Sequence, residues 1–395
     1  MGKRVYLDSA ATTYINNEVL NAMMPALTNT FGNTNSLHSY GRDAMKLLDE
    51  SRSTIASTIG AKSHEIYFTS SGTEANNWAI RGLAYGNCDK GKHIITSSIE
   101  HDSILKECKQ LEKEGFKVTY LPVDKNGIVS LSELMHYMKP DTILVSIMAA
   151  NNEVGTIQHL NAIARTVKER GILLHMDCVQ AYGAVRLNVN DLNLDAMTIS
   201  SHKIYGPKGV GALYVREGVN IAPLILGGSQ EYGKRGGTVD LPNIVGFAKA
   251  CELATNDIAA TSLKLRGLRE YFTREVQERI TGVTVNGHLT QRLPNIVNLS
   301  FECVDGESLM TMLDLNGIAC SRGSACTSGS NEPSHVLTAM GLPVEMSKSA
   351  LRFSIPKNVT KEDLDYVVDV LEKSVKKLRE ISAINKSANK EKKNV

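Results

Sequence analysis

Between residues 66 and 199, short β-branched and aromatic runs alternate with stretches of helical periodicity. This alternation limits the possible folds more than any other feature of the chain. Ile66-Tyr67-Phe68-Thr69 precedes a helical pattern over 74–83, His93-Ile94-Ile95-Thr96 precedes one over 103–113, and the run 142–147 precedes one over 160–169. Two further apolar runs, 171–176 and 196–199, follow. Strands that alternate with helices in this way predict an α/β fold with a largely parallel sheet and flanking helices. In such sheets ligands bind beyond the carboxyl ends of the strands.

From about Asn256 the pattern changes. A charged helix over 262–278 leads into short strands near Val283 and over 296–301, and a last helix runs from Lys361 to about Ile381. This predicts a second, smaller α+β domain, in keeping with a chain of 395 residues that is too long for one small core. Residues 383–395 are polar and basic and read as a frayed, disordered tail. With 44 basic and 42 acidic residues the net charge is +2, which gives no electrostatic case for nucleic acid or a membrane surface. No apolar run reaches transmembrane length, and no apolar signal region follows Lys3-Arg4. Seven cysteines, an odd number without a Cys-x-x-Cys, read as reduced thiols of a cytoplasmic protein.

The chemistry-bearing residues fall after the strand-like runs. Lys203 lies in Ser200-Ser201-His202-Lys203, where burial would penalise its ammonium unless something uses it, and a Schiff base with an aldehyde cofactor is one such use. Thr69-Ser70-Ser71-Gly72-Thr73-Glu74 joins a strand to a helix. It is either a phosphate cradle at the helix start or a plain cap made by Thr73. Asp177 is either a partner for a protonated ring nitrogen or a helix cap, with Gln180 three residues on. His101 is either a ring-stacking proton carrier or a bonded loop histidine, and Asn152 is either a ring contact or turn chemistry. Arg352 sits inside an apolar alternation, where it pairs with an internal carboxylate or clamps a substrate carboxylate. Cys326, in Gly323-Ser324-Ala325-Cys326-Thr327-Ser328, has the composition of a reactive loop thiol. Cys320 reads as the end of a buried strand.

Taken together, Ser70-Ser71-Gly72-Thr73-Glu74-Ala75, Glu100-His101, Asn151-Asn152-Glu153, Asp177-x-x-Gln180, Ser201-His202-Lys203 and the Ser-Ala-Cys-Thr-Ser loop resemble the group I cysteine desulfurases of the NifS/IscS type. The resemblance runs from Tyr6-Leu7-Asp8 to about Ile381. It implies the pyridoxal 5′-phosphate fold type I: a large domain over 14–256 with a mainly parallel seven-stranded sheet, and a small domain of 1–13 plus 257–382 that carries the Cys326 loop. It also implies roles: Lys203 as the cofactor lysine, Gly72, Thr73, Ser200 and His202 on the phosphate, and Thr238 reaching the phosphate from the partner of a homodimer. Asp177 is implied on the ring nitrogen, Gln180 on the phenolic oxygen, and His101 stacked on the ring. Asn152 and Arg352 would hold the carboxylate of L-cysteine and Cys326 would take the sulfur; no metal is implied. The sulfur would pass to an acceptor protein such as an iron–sulfur scaffold or a tRNA-thiolation enzyme. An aminotransferase or selenocysteine lyase on the same fold is the alternative, and the need for Cys326 separates the two. Cys178 and Cys320 stand where the family usually has other small or aliphatic residues.

Overall fold

The computed structural model describes residues 3–323 and 333–393, with side chains described as far as 382. Its strands are β1 (Val5–Tyr6), β2 (Ile66–Thr69), β3 (His93–Ser97), β4 (Lys117–Leu121), β5 (Thr142–Ser146), β6 (Leu173–Asp177), β7 (Ala196–Ser200), β8 (Gly211–Val215), β9 (Val283–Asn286), β10 (Ile296–Phe301), β11 (Ile318–Ala319) and β12 (Leu351–Ser354). Seven of them form one sheet in the order β2-β8-β7-β6-β5-β3-β4. Only β8 runs against its neighbours. The link from β7 to β8 is too short for a crossover helix, so β8 must return antiparallel.

The apolar runs are continuous because helices cover both faces of the sheet. Adjacent residues go to opposite sides, as the strand repeat demands. Ile95, Val145 and Ala212 join a core with Val19, Leu48, Ile55, Ile163 and Phe247. Their neighbours Ile94, Leu144 and Leu213 join Trp78, Ile80, Ile104 and Leu111 on the other face. The first core takes in the helices Asn17–Thr28, Ser39–Ile59 and Leu241–Thr255, none of which the sequence pattern predicts. β4 and β8 also went unpredicted.

A separate core, with Phe272, Leu299, Phe301, Leu309, Phe353 and Leu371, lies between the antiparallel sheet β12-β10-β9 and the helices Ile258–Arg279, Gly306–Leu315 and Lys361–Lys393. The amino terminus belongs to this core: β1 pairs in parallel with β11, and Val5 and Leu7 are buried in it. The last helix continues to Lys393, where the composition predicts a frayed tail over 383–395. Those added residues are mostly Lys, Glu, Ala, Asn and Ser, with no Gly or Pro to stop the helix.

One buried ion pair fastens the segment that leads toward Thr238. Arg52 donates from both Nη atoms to the two carboxylate oxygens of Glu231 at 2.7 Å, and Nη1 also donates to the carbonyl of Ile66. Glu231 accepts the backbone N–H of Phe68 as well. Glu231 and Tyr232 both hold left-handed backbone, at φ 47° and 57°, a conformation such residues keep only when their surroundings enforce it. Glu231→Gln strands a buried guanidinium, so it should lower unfolding stability by about 3 kcal/mol in urea titrations.

Candidate active site

The carboxyl ends of five strands and the turns after them converge on a cavity of about 180 Å³. It is lined by Gly72 and Thr73 after β2, His101 and Ser103 after β3, Met148 and Asn152 after β5, and Asp177 and Gln180 from the end of β6. Ser200 ends β7, His202 and Lys203 follow it, and Arg352 on β12 closes the wall. Ten of the twelve residues expected from the sequence therefore meet in one place. Thr238 is exposed and does not line the cavity of its own chain. Cys326 lies outside the described residues.

At one end the helix Gly72–Gly86 begins, capped by Ser71, whose Oγ accepts the N–H of Glu74. The cap is thus Ser71 and not Thr73, which leaves Thr73 in the first turn beside Gly72. A Cβ on Gly72 would stand 3.0 Å from a Val179 methyl and 3.3 Å from the Ser200 Cβ, so any larger residue would push on this close wall. Ser200 and His202 stand opposite the helix start. Burial, then the positive charges of Lys203 and Lys208, pushes the His202 imidazole down to about 4, so it is neutral at physiological pH. Free helix N–H groups, a hydroxyl and an imidazole make a phosphate-binding set.

At the other end Asp177 accepts from Asn76 Nδ2 at 2.7 Å and from the N–H of Val179. Asp177 closes β6 and turns into the cavity, and it caps no helix. Asn76 Nδ2 also reaches Ser103 Oγ, at 2.9 Å, which lies 2.8 Å from His101 Nδ1. The backbone N–H of Ser103 donates to the same Nδ1. With Nδ1 accepting, neutral His101 carries its proton on Nε2, a tautomer set by this network. Asn76 and Ser103 were not singled out from the sequence. Asn76 lies one helical turn beyond Gly72, and that spacing was the available signal.

Between the two ends, Lys203 donates to the carbonyls of Ala10 and Ala11 at 2.6 and 2.7 Å. Gln180 donates to the same Ala10 carbonyl. Arg352, 1 % exposed, pairs with Asp8 at 2.9 Å and donates to the carbonyl of Asn152, so it does pair with an internal carboxylate. Its Nε is buried and has no hydrogen-bond partner among the described residues, which leaves a donor for a further anion.

Cys320 lies just after β11. Burial pushes its thiol up to about 12, although the residue as a whole is only half-buried. Burial likewise raises Cys178 well above the usual thiol range, and both are poor nucleophiles.

A primary amine between a phosphate cup and a carboxylate fits a phosphorylated pyridine aldehyde, and the comparisons agree. Residues 5–367 match the class V aminotransferase family. The cysteine desulfurase IscS of Dictyoglomus turgidum is 51% identical over 382 residues, 97% of each chain, and that of Clostridium botulinum (strain Kyoto / Type A2) is 49% identical over 386 residues, 97% of each chain. A solved NifS-like protein superposes with a TM-score of 0.89 at 38% identity, covering 94% of this chain and 99% of its own. SspA in complex with cysteine gives 0.79 at 36% identity, covering 90% and 99%. The chain belongs to the class V aminotransferase family, and its cofactor is pyridoxal 5′-phosphate. The family resemblance and the expected fold type are both borne out.

Glu100, just before His101, is fully buried. Its Oε1 accepts from Ser97 Oγ and the N–H of Met148, and its Oε2 has no hydrogen-bond partner among the described residues. Burial, which outweighs those two bonds, pushes the carboxyl up to about 8. An acid whose folded pKa lies above its unfolded value holds its proton in the fold, so its contribution to stability is present at low pH and lost as pH rises from about 4.5 to about 8. Glu100→Gln should flatten the fall in urea midpoint across that range. A variant with the wild-type slope would show that Glu100 is not the group responsible.

Proposed function

We infer that the chain removes sulfur from L-cysteine and releases L-alanine: it is a pyridoxal-phosphate-dependent cysteine desulfurase. The observation that carries this reading is the meeting of Lys203, Asp177, His101 and Arg352 in one cavity. Gly72, Thr73, Ser200 and His202 would hold the cofactor phosphate, with Asp177 toward the ring nitrogen, Gln180 toward the phenolic oxygen and Asn152 toward a ring substituent. When bound, the cofactor supplies an electrophilic aldehyde and an electron sink.

Arg352, with its spare Nε–H, and Asn152 grip the substrate carboxylate. Lys203 would hold the cofactor, and its amine is the base placed to remove the proton from the substrate Cα. His101, protonated on Nε2 and oriented by Ser103, moves the proton at the substrate sulfur. Cys326 thiolate attacks that sulfur. The new S–S bond forms as the Cβ–S bond breaks, the bonding electrons stay with carbon, and a proton on Cβ together with return of a proton to Cα completes L-alanine. The persulfide sulfur then passes to an acceptor protein, an iron–sulfur scaffold or a tRNA-thiolation enzyme.

The chain divides into two units, 14–256 and 1–13 plus 257–382: most of each unit's apolar residues form its own core, while Ala10, Leu293 and Ile296 pack into the first core and Ile99, Met148 and Val154 pack with Val336, Leu337 and Met340 across the two. Thr238 completes the phosphate site of a partner subunit. In support, Thr238 faces solvent, and Met24, Leu27, Phe31, Leu37 and Leu226 are exposed apolar residues of the kind an interface covers. Light scattering should give twice the chain mass of 43.0 kDa. A monomer at working concentration would remove Thr238 from the site. No helix among the described residues is long and apolar enough to cross a membrane. The cytoplasm is the compartment assigned, since a persulfide carrier needs its thiol kept reduced.

Mass spectrometry after one turnover with cysteine tests the assignment. An added mass of about 32 Da should sit on the peptide that carries Cys326. Cys326→Ser should abolish it, and Cys320→Ala should keep most of the activity. A persulfide found mainly on Cys320 would overturn the reading.

A further inference from the structure

The helix that begins at Gly72 carries an anion of its own in its first turn. Glu74 is the third residue of that helix, and its Oε2 accepts both the N–H and the hydroxyl of Ser70. These two bonds close the turn between β2 and the helix, from which Gly72 and Thr73 enter the cavity wall. For the helix alone an acidic first turn is favourable, because it meets the positive end of the peptide dipoles. A helix start that also binds a phosphate is in a different position. The same dipoles and free N–H groups then serve the ligand, and a carboxylate beside them competes with it and repels it.

Arg235 resolves that conflict. Its Nε donates to Glu74 Oε1 at 2.8 Å and its Nη2 donates to Oε2 at 3.1 Å, a bidentate pair. The two side chains are only 17 % and 11 % exposed, so salt and water screen little of the charge. Burial raises the Glu74 carboxyl, but the bonds from Arg235 and Ser70 outweigh it and hold the group below the usual carboxylate range, so the pair is ionic at neutral pH. Arg235 does not itself line the cavity. It is held in place by its own segment: Arg235 bridges to Ile225, the N–H of Gly236 donates to the Ile225 carbonyl, and Glu231 fastens the stretch between them to Arg52.

We propose that Arg235 is a positioning residue for the cofactor phosphate: paired with Glu74, it cancels the negative charge in the first turn of the helix Gly72–Gly86. The turn then keeps the shape that Glu74 gives it, while the helix start stays receptive to a phosphate. The inference rests on Gly72, Thr73, Ser200 and His202 being the phosphate cup.

The test separates charge from shape. The full-length enzyme is freed of cofactor and titrated with pyridoxal 5′-phosphate and, separately, with pyridoxal, which has the same aldehyde and ring but no phosphate. Visible absorbance reports binding of both. Arg235→Gln leaves the Glu74 charge uncancelled, so it should weaken binding of the phosphate form about tenfold or more and change pyridoxal binding by less than about twofold. Adding Glu74→Gln to Arg235→Gln should restore the wild-type preference for the phosphate form, because two amides can still hydrogen-bond and carry no charge. A double variant as weak as the single one overturns the proposal, since the ion pair would then serve only to fix the segment. So does an Arg235→Gln enzyme with undiminished affinity for pyridoxal 5′-phosphate, and so does one that loses pyridoxal in equal measure. Wild-type enzyme that bound pyridoxal as tightly as its phosphate would remove the cup itself, and the proposal with it. A normal wild-type preference that Arg235→Gln leaves intact removes only the role of Arg235.

Discussion

A lysine ammonium held just beyond the end of a buried strand needs acceptors, and the chain supplies them from almost two hundred residues away. The carbonyls of Ala10 and Ala11 take the Nζ of Lys203. The same segment straps the whole lysine turn. Thr13 donates to the His202 carbonyl from both its N–H and its Oγ1, and its Oγ1 accepts the N–H of Tyr205. Tyr205 sits at φ 67°, an unfavourable backbone for an aromatic residue, and its hydroxyl accepts the N–H of Lys357. The turn is held from within as well, by Ile204 and Gly206 N–H groups on the Ser201 carbonyl and by the Ser201 N–H on the Val210 carbonyl, and the strap ties it to the amino-terminal segment.

The sequence was most legible where burial is complete. β2 runs over the predicted residues, and β7 extends only one residue past the predicted run, because strands covered on both faces are continuous apolar runs. Lys203, Asp177, His101 and Asn152 were legible for a related reason: polar residues that interrupt such runs at their carboxyl ends stand out. The helices 17–28 and 39–59 were not, since the first contains Pro25 and the second mixes Ser, Thr and charged residues on its outer face. Partnerships across the fold were hardest to see. Asn76 and Asp177 lie 101 positions apart, and Asp8 and Arg352 lie 344 apart, and nothing local marks either pair.

Environment, rather than residue type, sets protonation around the cavity. Glu100 is kept neutral by complete burial, and His202 is kept neutral by burial beside two lysines. His101 has its tautomer set through Ser103. Arg352 is held inside the wall by Asp8 and the Asn152 carbonyl. These groups hold their states before any substrate arrives, so little reorganisation is left for the reaction itself.

The pairing of β1 with β11 bears on how the chain is made. Val5 lies beside Ile318, and Asp8 bridges to Ser354, so the first strand to leave the ribosome has its partners in the last quarter of the chain. At ordinary elongation rates of roughly 5–20 residues per second, the amino-terminal strand waits about 15 to 60 seconds for them. Until then the strap that carries Ala10, Ala11 and Thr13 has no anchor at its leading end. The seven-stranded sheet can form early, but a nascent chain cannot finish its lysine turn. Completion of the catalytic pocket is thus tied to synthesis of β11 and β12, and chains truncated before them would leave this strap without its partners.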